Sequence, residues 1–469
     1  YRLLARQLVP LLILVLIQGK LKNSSWFIYL SVAVAILGAA YSIMAFFKYY
    51  FFIQDNKLVV KKGVFKKTTL EIPFDRIQSV NFEQNLIHRV FKVIKVNMDT
   101  AGSSGNELQL NALNADMAQQ LSGHILKSKK SVNITSTEAA PEKQIIFRLK
   151  LGQLLKVGAT ENHIRSGGVI LFFFFYIYDS LEEYGVDIVE KGEQYAPLAK
   201  QLTQSLLFIL VFFILFSIVA FLISMIRTVL NFYDLQMFRK EGGFVIVSGL
   251  LNKKERAAKD EKIQIIKSSQ NLLQKLTGII ELVMKQASSA AVSESRSIKV
   301  VGLNAAEILQ AELYMLKSDL KESSAIEMKS VRPYYLFRRI YWWTIAFLSL
   351  SSIFYFLNKF GFILYVFVLY TLMVIGSVLA YKKKKYGISE HLLRLDGGIF
   401  GNNRQLIQNH KIQSIGISES FFQRRRSLCS VTVHTASGAL TIPDIRRRDA
   451  LFLNDLLLYR VEKSKRKWM

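Results

Sequence analysis

The run Arg76-Ile77-Gln78-Ser79-Val80 returns as Lys262-Ile263-Gln264-Ile265-Ile266 and again as Lys411-Ile412-Gln413-Ser414-Ile415. Five residues are too few to establish a repeat, so their surroundings decide. A glycine precedes each central isoleucine by the same distance: Gly63, Gly249 and Gly398 (77−63, 263−249 and 412−398). At another common distance beyond it stand Thr100, Gln286 and Thr435 (100−77, 286−263 and 435−412). Each of these is followed by alanine and a small residue, in Ala101-Gly102, Ala287-Ser288 and Ala436-Ser437. Agreement at fixed offsets in three places marks one unit used three times.

Inside the unit the pattern is that of strands. Lys57-Leu58-Val59-Val60-Lys61 and Val93-Ile94-Lys95-Val96-Asn97-Met98 alternate, and Ser430-Val431-Thr432-Val433-His434-Thr435 is rich in β-branched residues. The glycines are expected at hairpin turns that need positive φ. Each unit closes on a helical spacing: Met117, Leu121 and Ile125; Leu309, Leu313, Leu316 and Leu320; Leu453, Leu456 and Leu457.

Outside the units the chain is apolar. Of 469 residues 51% are hydrophobic and 12% aromatic, yet Lys plus Arg number 62 against 35 Asp plus Glu, a net charge of +27. Neither a water-soluble domain nor a disordered basic tail combines these features, so a membrane is needed to hold the apolar residues. A spanning helix takes about 20 apolar residues, and the runs 26–47, 202–226 and 360–381 meet that. Shorter apolar runs at 8–17, 169–178 and 341–357 complete three helical hairpins. Tyr1 leads almost directly into the first run, so the natural start is expected upstream; a signal peptide is the rival reading, but no small-residue cleavage site follows.

The loop 179–201 inside the second hairpin is acidic, while cations gather at the opposite helix ends: Arg2, Arg6 and Lys48; Arg148, Lys150, Lys156, Arg165 and Arg227; Arg338, Arg339 and the run Lys382, Lys383, Lys384, Lys385. By the positive-inside rule the large segments and both termini are expected in the cytoplasm.

The Ile-Gln-Ser element, Gln84-Asn85 after it, the Thr-Ala-Gly strand end and the preceding helix pair together resemble the bacterial pleckstrin-homology-like, membrane-flanked domain family, in three copies over nearly the whole chain. The resemblance implies an α+β membrane protein. About six transmembrane helices form three hairpins, each followed by a PH-like antiparallel β-sandwich or barrel with a C-terminal helix. It also implies no known catalysis, a role at the bacterial cytoplasmic membrane in envelope maintenance or stress response, and a hetero-complex with a smaller single-repeat relative. The expected division is hairpin 1–47, domain 48–130, linker and approach to the membrane 131–162, hairpin 163–226, domain 227–322, hairpin 323–381 and domain 382–469. The copies depart unequally from the pattern: Ile265 replaces serine, Gln286-Ala287-Ser288 replaces Thr-Ala-Gly, and Glu419-Ser420 replaces Gln-Asn.

Two sets of side chains are candidates for contact. Arg76, Gln78, Lys262, Gln264, Lys411 and Gln413 carry the repeated motif and are candidates for lipid or partner contact; the three glutamines either meet a headgroup or partner strand, or satisfy backbone groups at a strand end or bulge. Lys61, Lys62, Lys66, Lys67, Lys253, Lys254, Arg424, Arg425, Arg426, Arg446, Arg447 and Arg448 either face an anionic membrane surface, where each cation contributes about 1 kcal/mol, or form a solvated face that also signals topology.

Nucleic acid is not an expected partner, because the charge is divided over three tethered units without one aromatic-lined basic groove. No cofactor, metal site or catalytic set is expected: the six histidines, His88, His124, His163, His391, His410 and His434, are scattered, and the chain's one cysteine, Cys429, reads as a small strand residue. The runs 26–47, 202–226 and 360–381 hold no ionisable side chain. A non-enzymatic scaffold therefore leads. The alternative is a lipid- or small-molecule-handling protein with a conduit between the repeats, to be recognised by a continuous apolar cavity.

Overall fold

The computed structural model describes residues 25–100, 108–121 apart from 115 and 119, 144–161, 206–287 apart from 241, 297–316, and 326–464 apart from 359. The expectations for runs 8–17 and 169–178, for the acidic loop 179–201 and for most of the linker fall outside those residues.

In the first copy helix α1 (Ser25–Phe47) leads into β1 (Tyr50–Gln54), β2 (Lys57–Lys62), β3 (Thr68–Pro73), β4 (Ile77–Gln84), a short helix α2 (Leu86–Val90), β5 (Val93–Thr100) and β6 (Leu108–Asn114). The second copy begins with β7 (Gln144–Arg148) and α3 (Leu151–Thr160). It continues through α4 (Leu206–Phe232), β8 (Gln236–Lys240), β9 (Gly243–Ser248), β10 (Lys253–Lys259), β11 (Ile263–Gln270), α5 (Leu272–Thr277), β12 (Ile280–Gln286), β13 (Ser297–Leu303) and α6 (Ala305–Leu316). In the third, β14 (Lys329–Ser330) precedes α7 (Tyr334–Phe356) and α8 (Gly361–Lys383). There follow β15 (Lys385–Ile388), β16 (Leu392–Gly397), β17 (Asn402–Gln408), β18 (Ile412–Ser418), α9 (Phe421–Arg424), β19 (Leu428–Thr435), β20 (Gly438–Arg446) and α10 (Arg447–Lys463). The stretch 131–162, read from sequence as linker and approach, thus contributes a strand and a helix to the second copy: β7 pairs with β8.

By length and composition two described helices can cross a membrane, Ile214–Phe232 and Gly361–Lys383, where six spans are expected from sequence. Helix α1 contributes a shorter apolar stretch, Ile36–Phe47, and α7 carries Arg338 and Arg339 in its first two turns. The last pair is nonetheless a hairpin. Along α7 and α8 the rings of Phe347 and Tyr370 lie 4.9 Å apart and those of Phe354 and Phe362 5.3 Å apart, so the two helices run antiparallel.

Among the described residues all pairing is antiparallel, and the sheets do not respect the repeat. β1-β2-β3 form a three-stranded sheet; β6-β5-β4-β10-β9-β8-β7 and β13-β12-β11-β17-β16-β15-β14 form seven-stranded sheets; β18-β19-β20 form a second three-stranded sheet. Each seven-stranded sheet is the second half of one copy continued, edge to edge, by the first half of the next. A copy's core then lies between two different sheets: in the first, Leu58, Val60 and Ile72 face Val96, Met98 and Leu110, all buried. Consecutive copies are therefore joined through the backbone of a shared sheet, and the second and third also through the core, where Leu392 and Leu406 pack among the second copy's buried side chains.

Candidate functional site

The repeated motif is a corner. A single 3-10 turn, Phe74–Arg76, Asp260–Lys262 or Asn409–Lys411, carries the chain from one sheet to the other. The register of the next strand slips immediately after it, between Ile77 and Ser79, Ile263 and Ile265, and Ile412 and Ser414. The motif glutamine is the extra residue of that bulge in all three copies. Bulges re-aim side chains, and here the outcomes differ: Gln264 is buried, Gln413 is exposed, and the side chain of Gln78 lies outside the described residues. Arg76 is exposed and Lys262 half-buried.

Lys411 needs a correction. The sequence suggests a surface cation, but the side chain is 4% exposed, and its Nζ donates to the carbonyl oxygens of Asp260, at 3.0 Å, and of Ile263. It is plugged into the preceding copy's motif turn. Burial lowers its pKa to about 8 against the opposing pull of Asp260 and Glu261. Arg76 and Gln413 are exposed while Gln264 and Lys411 are buried, so the motif makes no common surface, and Lys411 is built into the joint between copies.

The other repeated features do converge. Gly63, Gly249 and Gly398 adopt φ of +114°, +111° and +119°. A Cβ at each would collide with the carbonyl oxygen of Lys66, Asn252 or Gly401 across its own turn, so glycine alone fits. The two residues after each glycine are apolar, Val64-Phe65, Leu250-Leu251 and Ile399-Phe400, and Phe65 and Phe400 are 89% and 56% exposed.

Each turn lies against the helix that enters its own sheet. The ring of Phe65 stacks on Tyr41 of α1, with centroids 6.1 Å apart. The amides of Gly249 and Leu250 donate to the carbonyls of Tyr233, just past α4, and Leu230 within it, at 3.0 and 2.9 Å. Lys383, the last residue of α8, donates from Nζ to the carbonyls of Phe400 and Gly401 at 2.9 and 2.7 Å.

A second apolar pair recurs at a fixed distance beyond the central isoleucine (86−77, 272−263 and 421−412): Leu86-Ile87, Leu272-Leu273 and Phe421-Phe422 open the short helices α2, α5 and α9. Leu86, Leu272, Leu273, Phe421 and Phe422 are all exposed. Capping boxes at Asn271 and Ser420 set the last two helices. Asn271 Nδ2 donates to the carbonyl of Thr160 at the end of α3, and the guanidinium of Arg426 lies 5.0 Å from the ring of Tyr334 at the start of α7. Exposed apolar turn tips thus stand beside a long helix in every copy, and in the third α9 stands beside the start of α7.

The expected cations surround these tips. Lys62, Lys66 and Lys67 flank Phe65, Lys253 and Lys254 follow Leu251, and Arg424, Arg425 and Arg426 follow Phe422; of these Lys254 is half-buried and the rest exposed. Lys61 is half-buried over the rings of Tyr50 and Phe52. Arg446, Arg447 and Arg448 are exposed at the start of α10, where Arg447 Nε pairs with Glu419 at 3.3 Å. Sequence reading found the cations and missed the apolar pairs, although their spacing was there to be counted.

A cleft of about 140 Å³ opens between the bases of α7 and α8 and the β16–β17 turn, lined by Tyr335, Arg339, Lys384, Asp396 and Ile399 among others. Burial lowers the pKa of Lys384. That volume suits a few waters or part of a headgroup rather than an acyl chain. Among the described residues no group of three or more His, Cys, Asp or Glu side chains assembles as metal ligands. Cys429 is buried in β19, and burial first, then Glu419 and Asp449 against the opposing pull of Arg447, raises its thiol pKa to about 11.

Compared with known proteins, the chain matches the bacterial PH domain family at residues 9–129, 202–317 and 345–461. It is also similar to the UPF0699 transmembrane protein YdbT of Bacillus subtilis (strain 168), 23% identical over 447 residues that cover 91% of this chain and 87% of that one.

Proposed function

We propose, from the premise that the chain belongs to the bacterial PH domain family, that it is a non-enzymatic scaffold of the bacterial cytoplasmic membrane whose three PH-like domains lie against the inner leaflet. The chain is a membrane protein, and the finer reading assigns it three hairpins with the domains and both termini in the cytoplasm. One observation carries this: in each copy an exposed apolar tip, bordered by cations in the first two turns and beside α9, stands at the end of the helix that would leave the bilayer. An apolar residue at that depth gains by leaving water, and a nearby Lys or Arg gains about 1 kcal/mol from an anionic leaflet. Three such contacts in one chain act together, since holding one raises the local concentration of the others.

Contact with a partner membrane protein is the second activity, supported by exposed Leu86 of α2 and the exposed apolar pairs of α5 and α9. The setting we propose, envelope maintenance or stress response, rests on the resemblance alone. A conduit for lipid or small molecules is the competing reading, and the cleft beside Lys384 does not favour it, being small and partly polar.

The test is trypsin cleavage at Lys66, Lys67 and the Arg424, Arg425 and Arg426 cluster in the full chain reconstituted in vesicles. Anionic vesicles should slow cleavage relative to zwitterionic ones, and salt should restore it. Equal cleavage in both would contradict lipid engagement.

A further inference from the structure

The two internal joints are the same joint. In the first, Lys253 pairs with Gln84, Lys254 with Glu83 and Glu255 with Phe82. In the second, Asn402 pairs with Gln270, Asn403 with Ser269 and Arg404 with Ser268, continuing to Ile407 with Ile265. Lys253 and Asn402 hold the same place after their turn glycines (253−249 and 402−398), and Gln84 and Gln270 the same place after their central isoleucines (84−77 and 270−263). One register therefore serves both, although the paired side chains share almost no chemistry. Backbone geometry sets it, as in strand addition to a sheet edge.

The ends of the chain hold the two unused halves of this joint. Among the described residues, strand β18, which occupies in the third copy the place of β4 and β11, pairs only with β19, and β3, which occupies in the first copy the place of β10 and β17, pairs only with β2. Both outer edges are open: Thr68, Thr69, Leu70 and Glu71 are exposed, and so are Gln413, Ser414, Ile417 and Ser418. Proteins usually blunt an open edge with lysine, proline or an inward charge. β18 has none of these in Ile412-Gln413-Ser414-Ile415-Gly416-Ile417-Ser418. Pro73 closes β3, but the equivalent residues Lys259 and Gln408 stand outside the cross-copy ladders, so it does not obstruct pairing.

We infer that β18 of one chain takes β3 of a second copy of this chain, making a head-to-tail assembly in which the sheet continues between molecules as it does between repeats. The shared register sets Lys67 opposite Glu419, Thr68 opposite Ser418, Thr69 opposite Ile417 and Ile72 opposite Ser414. A heterologous joint of this kind closes into a ring or extends as a row. The inference does not depend on lipid engagement, since it uses the sheet edges and not the apolar tips.

Disulfide trapping in native membranes tests it, with two differently tagged full-length chains expressed together, one carrying Thr69→Cys and the other Ile417→Cys. Buried Cys429 contributes little background. A single chain carrying Phe82→Cys and Glu255→Cys, the same two places in the first joint, shows that the geometry allows a bridge and that the chain is folded. We expect a species containing both tags, and much less of it when Gln413→Cys replaces Ile417→Cys. The inference is overturned if the internal bridge forms while the two-tag species does not. It is overturned equally if both cysteine positions trap alike, or if Ile417→Cys is captured by a smaller single-repeat chain in place of this one.

Discussion

The joint between the first and second copies is made lightly and the joint between the second and third heavily. In the first, among the described residues, three residue pairs and one side-chain bond, Ala257 N–H to Asn81 Oδ1 at 3.3 Å, hold β10 to β4. In the second, six pairs hold β17 to β11, Lys411 enters the preceding motif turn, and Arg404 reaches both Ser268 Oγ, at 3.2 Å, and the buried carboxylate of Glu312. Gly401 lets the backbones close up, for a Cβ there would strike the carbonyl oxygen of Gln270. At the equivalent place in the first joint stands Asn252. One register thus serves a loose hinge and a stiff one, and only the side chains set which is which. The third domain is also fixed to its own hairpin: Asp444, fully buried, pairs with Arg338 of α7 at 2.9 Å and accepts from Gln423 Nε2 at 2.6 Å. The second and third copies should behave as one block, with the first attached more freely.

Removing the guanidinium from the stiff joint breaks the contrast most strongly. Burial raises the pKa of Glu312 while Arg404 opposes the rise, so Arg404→Ala leaves a buried carboxylate unpaired. A loss of about 3–5 kcal/mol is expected in denaturant unfolding of the detergent-solubilised chain. A change within error would show that the carboxylate is already neutral or solvated.

Lys411 makes the same joint sensitive to pH. Its folded pKa of about 8 lies below the ordinary 10.5, so between those values the unfolded chain holds a proton that the folded chain has released. Stability should rise with pH across that window, by about 3 kcal/mol in all, whereas below it the cost of burying the charged Lys411 is constant and adds no slope. Comparing the wild-type chain with Lys411→Met isolates the term; parallel pH profiles for the two would refute it.

Gly401→Ala should cost about 1–3 kcal/mol, the range for forcing a methyl into a filled site, while Asn252→Ala at the matching place in the loose joint should cost less. Asn81→Ala is the mildest change. Losing one partly buried hydrogen bond costs about 1 kcal/mol, read best as faster proteolysis between the first and second domains. Equal sensitivity of the two joints would remove the distinction.

How much of this was legible depends on the kind of physics. The repeat and the three turn glycines could be read, because positive φ with no room for a Cβ admits one residue type. The strands were visible too, since alternation reports which face is buried. Alternation does not say which strand lies beside which, so nothing in Lys253-Lys254-Glu255 announced a partner in Phe82-Glu83-Gln84. For that reason the sheets shared between copies, and the internal place of Lys411, could not be anticipated. The apolar pairs after each glycine and at the start of each short helix were in plain view at fixed spacing, hidden only by their likeness to core residues. Residues 144–160 were misjudged because a five-residue strand and a ten-residue helix beside a Ser, Thr and Ala-rich stretch are a weak signal.

Spin labels on Phe65→Cys, Leu251→Cys and Phe400→Cys, in chains reconstituted in anionic vesicles, decide whether the three turn tips enter a bilayer. At all three positions collisions with oxygen, which concentrates in lipid, are expected to exceed those with a water-soluble nickel chelate. Labels at all three that meet the chelate as freely as one on exposed Arg446→Cys would contradict it.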